Sequence, residues 1–348
     1  MSSERTRNNL KPAAIVGSLF AGRRFAQRKA VDMHGKVVLI TGGSRGLGFA
    51  LAEEFALQGA RLVLSARDEQ ELERARQQLA DQGAEVFAVP CDMTQREQVQ
   101  QLVEQVTTHY GHVDILVNNA GIITVGPFLA QTLNDFEDSM NILFWGPVYT
   151  TLAVLPQMLE RKSGCIVNIS SIGGKVSIPH LLPYSSAKFA LTGFSEGVHA
   201  ELAKEGIHVM TVTPGLMRTG SPVNALFKGK HHAEYTWFSI ADSLPFLSMS
   251  AKKAGQHIVR ATQSRKVEIT LTVPAKMLAL VHGIFPQLTI NLLSIVNRFL
   301  PKTGQAEGFD RSTGKESETP LSRSFLTTLG RKAAQTYNED TPKSIETN

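Results

Sequence analysis

Between Lys36 and Thr272, seven short β-branched runs alternate with longer stretches of helical period, and this alternation restricts the fold more than any other feature of the chain. Runs of this kind suit strands buried on both faces of a parallel sheet, with the amphipathic segments between them as crossovers. The runs are 37–40, 62–64, 86–89, 115–117, 166–169, 209–212 and 267–272. The expected domain, 35–274, is therefore α/β, with a seven-stranded parallel sheet doubly wound by helices.

Local signals support the same division. Leu47, Leu51 and Phe55 fall on one helical face before Gly59, as do Leu72, Ala75 and Leu79 before Gly83, each glycine suiting a helix end. Thr94 with Glu97 has capping-box spacing ahead of Val99, Leu102, Val103 and Val106.

The net charge of +5 is unevenly spread. Residues 1–36 hold eight Lys or Arg against Glu4 and Asp32, so the other 312 residues sum to about −1. A body without net positive charge gives no reason to expect nucleic-acid binding. The basic residues form an N-terminal arm, 1–34, whose apolar run at 13–21 precedes its basic cluster and is too short for a secretory signal or a spanning helix. An amphipathic extension fits, either packed on the domain or touching anionic lipid headgroups.

Residues 277–297 contain no charged side chain, and Pro286 divides them. Leu288, Leu292, Ile295 and Phe299 then make an apolar stripe. The extension 275–300 is expected to close over a substrate pocket, to form a dimer face, or to make a peripheral membrane contact. From Pro301 the chain is polar with few apolar anchors, which predicts a loosely ordered tail over 301–348. Cys91 and Cys165 lack metal or disulfide spacing, and the ten histidines form no ligand pattern, so no metal site is expected.

Directly after the first run stands Thr41-Gly42-Gly43-Ser44-Arg45-Gly46-Leu47-Gly48, leading into a helical segment. Glycines there let the backbone approach a pyrophosphate, which the free N–H groups and dipole of the helix start stabilise. After the second run the sequence reads Ser65-Ala66-Arg67, without the carboxylate that would bind an unphosphorylated ribose. Arg67 and Arg45 can instead pair with a 2′-phosphate, favouring NADP over NAD. Asp68 reads as a helix N-cap.

Tyr184-Ser185-Ser186-Ala187-Lys188 sets a phenol and an ammonium four residues apart on a helical face. An adjacent cation favours the phenolate and would bring a phenol toward neutral working range. Ser171 follows the fifth run, thirteen residues before Tyr184, with Ser170 beside it as a backbone-supporting hydroxyl. The fourth run ends in Asn118-Asn119-Ala120-Gly121 and the sixth in Pro214-Gly215. All these strand ends lie on the carboxyl edge, where open α/β sheets bind ligands.

With these motifs together, residues 35–272 resemble the short-chain dehydrogenase/reductase family and its Rossmann fold. The resemblance implies Tyr184 as general acid or base, Ser171 orienting the substrate oxygen, Lys188 on the ribose, and Asn141 holding a water in a proton relay. It also implies Asp92 at the adenine, Asn118 supporting the cofactor site, Thr219 at the carboxamide, and assembly into homo-oligomers. Between 220 and 250 lie Leu226, Phe227, Tyr235, Trp237, Phe238, Leu244, Phe246 and Leu247, expected over the nicotinamide as the wall of an apolar substrate site. The functional expectation is an NADP-dependent oxidoreductase acting on a lipid-like carbonyl or alcohol, cytoplasmic or peripheral on the cytoplasmic face of a membrane. The alternatives are a catalytically silent NADP-binding scaffold and an epimerase or dehydratase on the same sheet.

Overall fold

The computed structural model describes residues 30–302 and 309–340; the basic arm expected at 1–34 lies almost wholly outside them. The strands are β1 (Val37–Thr41), β2 (Arg61–Ala66), β3 (Val86–Pro90), β4 (Ile115–Asn118), β5 (Thr124–Val125), β6 (Gly164–Ile169), β7 (Ile207–Thr213), β8 (Leu216–Arg218), β9 (Leu226–Phe227), β10 (Ser248–Ser250), β11 (Glu268–Thr270) and β12 (Ser312–Thr313). The helices are α1 (Gly46–Ala56), α2 (Glu69–Asp81), α3 (Arg96–Tyr110), α4 (Leu133–Met140), α5 (Gly146–Arg161), α6 (Leu182–Leu202), α7 (His231–Ser243), α8 (Ala251–Gln263), α9 (Val273–Ile284), α10 (Pro286–Asn297) and α11 (Thr328–Thr336).

Seven strands make one parallel sheet in the order β11-β7-β6-β4-β1-β2-β3. Successive side chains of β1 alternate between two cores, as the period of two in a strand requires. Val38 and Ile40 pack with Leu51 and Phe55 of α1 and Ile258 of α8. Val37 and Leu39 face Val99, Leu102 and Val106 of α3 and Val154 and Met158 of α5. The chain runs outward in opposite directions from β1, so a crevice opens between the carboxyl ends of β1 and β4.

The seven expected strands are the seven of the sheet, although the last is shorter than 267–272. It stops at Thr270, because Thr272 takes φ +72° and caps α9 through a bond from Ala275 N. Asp68 caps α2, accepting from Glu71 N at 2.8 Å. The capping box at Thr94 does not form. The neighbouring Asp92 carboxylate takes both the Thr94 amide and hydroxyl, at 3.0 and 2.9 Å, and α3 begins beyond Gln95 without a side-chain cap. Pro286 separates α9 from α10 as expected.

The tail differs from the expectation of loose order. Over 309–340 it folds onto the domain, adding β12 to β9 and β5 as a small sheet and packing α11 against Gly220, whose φ of +90° lets Ala334 approach. Polar anchors replace the missing apolar ones. The fully buried Asp135 carboxylate bonds Lys228 Nζ at 2.5 Å and Arg311 Nε at 2.7 Å, and Arg311 also reaches Asp138 at 2.6 Å. Burial alone would raise the Asp135 pKa, but the bonds from Lys228, Thr132 and Arg311 hold it below its ordinary value. Stability from this group is therefore complete at neutral pH and lost as acid protonates it.

Because Lys228 is itself buried, removing its partner leaves an uncompensated charge. Asp135→Ala should cost about 3 kcal/mol or more in denaturant unfolding, and Arg311→Ala, at a half-exposed partner, roughly 1 kcal/mol. Equal losses in the two variants would contradict this account.

Candidate active site

The phosphate-type turn is built by close backbone approach. Gly42 sits at φ +63°, and a Cβ there would lie 2.8 Å from Ala120 Cα; one on Gly48 would lie 2.0 Å from Gly42 O. Thr41 Oγ1 accepts from the amides of Asn119 and Ala120, both at 3.0 Å. Asn119 Nδ2 donates to the carbonyls of Thr41 and Gly42 at 3.1 and 3.0 Å. Gly121 is equally confined, since a Cβ would meet Leu143 Cδ2 at 2.7 Å. Two strand ends are thus laced into one unit that has no room for side chains where a pyrophosphate would approach the start of α1, and Leu47 is buried beneath it.

Asn118 lies deeper. Its Nδ2 donates to Asn168 Oδ1 at 2.9 Å, its Oδ1 accepts from Thr150 at 2.6 Å, and Asn168 continues to Ser195 and from there to Thr211. This neutral, buried chain fixes the ends of β4, β6 and β7 relative to α5 and α6, a supporting position for the crevice.

Ser171, at the end of β6, accepts from Gly173 N at 3.0 Å and caps a short 3-10 turn. Ser171 also acts on the neighbouring Tyr184 phenol, lowering its pKa. Lys188, one turn along α6, donates from Nζ to Ile169 O at 2.7 Å and lies 5.7 Å from the Tyr184 ring centroid. Ser170 bonds Thr192 at 2.7 Å and supports α6. The structure thus brings Ser171, Tyr184 and Lys188 together.

Its electrostatics correct one expectation. The Tyr184 pKa is raised, because burial outweighs the lowering by Ser171, and Lys188 is not among its influences. Burial depresses Lys188 itself to about 7. Both shifts have one cause: a closed, low-dielectric site penalises phenolate and ammonium alike, and the ammonium spends its bond on a backbone carbonyl.

The remaining expected residues are more scattered in role. Asn141 opens a π-helical turn, Asn141–Trp145, and its carbonyl accepts from Gly146 N, while its side chain is exposed. Pro214 O accepts from Ile172 N at 2.7 Å, joining β6 and β7 at the edge. Gly215 has no room for a Cβ against Thr272. Thr219 is buried, 3.9 Å through Cβ from the position a Cβ on Gly46 would take. Arg67 is exposed at the end of β2 and makes no ion pair among the described residues. Arg45 is not free for a phosphate: it pairs with Glu71 at 2.9 Å and Glu339 at 3.4 Å, and Ser44 also bonds Glu71 at 3.2 Å. Asp92 is engaged by Thr94.

Three features carried no expected role, although Asn119 stands within the 118–121 motif. Asn119 pins the turn. The corner at 337–339 covers the same turn: Gly46 N donates to Tyr337 O at 2.7 Å, Asn338 Nδ2 to Ser44 O at 3.3 Å, and Asn224 Nδ2 to Glu339 Oε2 at 2.6 Å. Burial raises the Glu339 carboxyl to about 7, against the pull of Arg45 and Asn224. The third is His180, four residues before Tyr184 at φ +64°, whose Nδ1 meets the fully buried Glu234 carboxylate at 2.8 Å, with Trp237 Nε1 donating to the same carboxylate at 2.7 Å. None of these pairings joins residues that periodicity could associate.

The aromatic residues expected to wall the substrate site do something else. Phe227, Tyr235 and Phe238 are buried with Val125 and Ala225 as the private core of the 220–250 segment (the lid), and Phe246 is exposed. A helix as short as α7 has to bury its own apolar face before it can line a cavity. The cavity near the site, about 830 Å³, is walled instead by Pro127, Phe128, Ile178, His180 and Leu182 together with Ile290 and Leu293 of α10.

Comparison with known proteins agrees with this architecture. The family model "short chain dehydrogenase" matches residues 36–226. A "Dehydrogenase/reductase SDR family protein 7-like" of Drosophila melanogaster is 35% identical over 285 residues, 80% of this chain and 84% of the relative. The similarly named Anopheles gambiae protein is 42% identical over 58% of this chain, a match spanning 65% of that relative. A "Fatty acyl-CoA reductase" of Acinetobacter baylyi is 33% identical over 80% of this chain and 89% of the relative. Among solved structures, a short-chain dehydrogenase from Streptomyces avermitilis superposes with TM-score 0.66 at 33% identity, covering 76% of this chain and 98% of that one. L-Sorbose reductase from Gluconobacter frateurii, complexed with NADPH and L-sorbose, gives TM-score 0.62 at 28% identity, covering 70% and 97%. A laced glycine turn and a Ser-Tyr-Lys set on one sheet edge, within a match over more than half the chain, make this protein a member of the short-chain dehydrogenase/reductase family of oxidoreductases.

Proposed function

We propose that this chain is an NADP-dependent oxidoreductase that moves a hydride between the nicotinamide and a carbonyl or alcohol of an apolar, lipid-like substrate. The observation that carries the reading is the enclosed contact of Ser171 and Tyr184 with Lys188 one turn away, at the crevice where β1 and β4 diverge. The cofactor supplies the hydride. In this reading the Tyr184 hydroxyl delivers or accepts the proton and Ser171 orients the substrate oxygen. Lys188, already near 7, gains charge when an acceptor such as a ribose hydroxyl or a phenolate comes within reach. Asn141, where the helical run bends, holds a relay water, and Thr219 and Asp92 touch the carboxamide and adenine ends of the dinucleotide.

Arg67 supports the choice of NADP, being an open cation at the end of β2 where a carboxylate would select NAD. The NADPH complex of L-sorbose reductase is consistent with it. The substrate class rests on the apolar walls of the cavity, and the fatty acyl-CoA reductase among the relatives points the same way. The face of α9 and α10 turned from the cavity is apolar and exposed at Met277, Leu280, Ile284, Phe285, Leu288 and Phe299. We assign it to contact with a membrane surface, where such a substrate would reside.

NADPH oxidation should be seen with long-chain aldehydes, ketones or acyl derivatives, and Tyr184→Phe should lower kcat by roughly 10²- to 10⁴-fold with little change in cofactor Kd. Turnover of small polar carbonyls alone, or full activity in the phenylalanine variant, would refute the reading. Arg67→Asp should weaken NADPH binding and improve NADH use; an unchanged preference would remove the 2′-phosphate assignment. If α9 and α10 hold the protein to membranes by apolar contact, the membrane fraction should keep it in high salt and lose it when Leu280 and Phe285 are both replaced by Asp.

A further inference from the structure

The start of α1 already has an acidic occupant, supplied by the chain itself. Gly46 N, the first amide of an 11-residue helix, donates to Tyr337 O. Glu339 Oε1 lies 2.5 Å from the position a Cβ on Gly46 would take, on the side where Thr219 closes the space. The carboxylate is buried, bonded by Asn224 and paired with Arg45. Glu71 stands on the same arginine, so one cation serves two carboxylates. A free helix start favours negative charge, and a buried carboxylate needs donors. The two requirements meet in this corner.

The corner is held from several sides. Asn338 takes φ +60° and donates to Gln78 Oε1 at 2.8 Å. Tyr337 is buried in the sheet core, and Asp340 pairs with Lys315 at 3.0 Å. Its geometry is therefore set by the folded tail, and the carboxylate is delivered to one place.

We propose that Glu339 determines cofactor affinity, acting as an internal ligand of the phosphate turn that a dinucleotide must displace. The inference rests on the assignment of that turn to a nicotinamide dinucleotide. A pyrophosphate would need the Gly46 amide that Tyr337 O now takes and the arginine that Glu339 now holds, and it would stand against the Glu339 carboxyl at Gly46, where two like charges repel. Binding energy is then divided between holding the cofactor and moving the 337–340 corner aside, so the tail and the cofactor are coupled sites with a reciprocal free energy. Release of Arg45 from Glu339 would also return that guanidinium to the turn, where an arriving phosphate can use it.

Calorimetric titration of the full-length protein with NADPH, and separately with inorganic pyrophosphate, tests this. Glu339→Gln keeps the shape and removes the charge. It should bind both probes about tenfold tighter, within the range usual for coupled sites, and a chain ending at Thr336 should do so at least as strongly. In the wild-type protein, hydrogen exchange across 337–339, the corner that has to move, should speed up when NADPH is added. Unchanged or weaker binding in a folded Glu339→Gln variant would overturn the proposal, and so would exchange protection that rises with NADPH. Tighter pyrophosphate binding without any nicotinamide dinucleotide binding would instead sink the cofactor reading and leave Glu339 as the occupant of an anion site.

Discussion

The site depends on one close approach, the packing of the turn after β1 onto the end of β4. At the point where the sheet reverses its winding, Gly42 and Gly48 meet Asn119 and Ala120 at distances that exclude a Cβ. Four hydrogen bonds through Thr41 and Asn119 then satisfy backbone groups that would otherwise be exposed to an apolar crevice. A glycine in such a place loses conformational freedom on folding. The buried chain from Asn118 through Asn168 to Ser195 carries the same register across to β6 and α6, so Ser171 and Tyr184 are positioned relative to the turn by hydrogen bonds as well as by packing.

Enclosure has a consequence for Tyr184 and Lys188. A tyrosine and a lysine on one helical face suggest a phenol acidified by its neighbour. In the protein, burial raises the phenol and lowers the amine, and the ammonium is directed to Ile169 O. Charge is disfavoured on both groups until another charged or strongly polar group enters the crevice. Around buried groups of this kind, where the dielectric is low, each interaction with a charged ligand counts for more than at a surface.

The tail shows how polar residues can fold without a large apolar core of their own. Asp135 is the centre: it caps α4, neutralises buried Lys228 and receives Arg311 from the far end of the chain. From there β12 extends the lid sheet and α11 leads to the corner at Glu339. The lid aromatics pack against one another, and the cavity walls come from the loops before α6 and from α10. The cavity and the glycine turn are therefore both bounded by segments outside the parallel sheet.

What could be read in the sequence were seven strands and their helices, set by local periodicity, the glycine turn and the division at Pro286, set by residue type, and the Ser171, Tyr184 and Lys188 set, whose members lie close along the chain and were recognised by resemblance to a family. Strand and helix periods follow from the backbone geometry of each element, so a single segment reveals them. The tertiary structure alone decided that a charged tail would fold, that Arg45 would be occupied, that the lid aromatics would turn inward, and that Glu339 would reach Gly46 across nearly 300 residues. These outcomes depend on ion pairs and buried carboxylates between distant segments. Such interactions leave no periodic trace, because their strength comes from desolvation that exists only once the chain has closed around them.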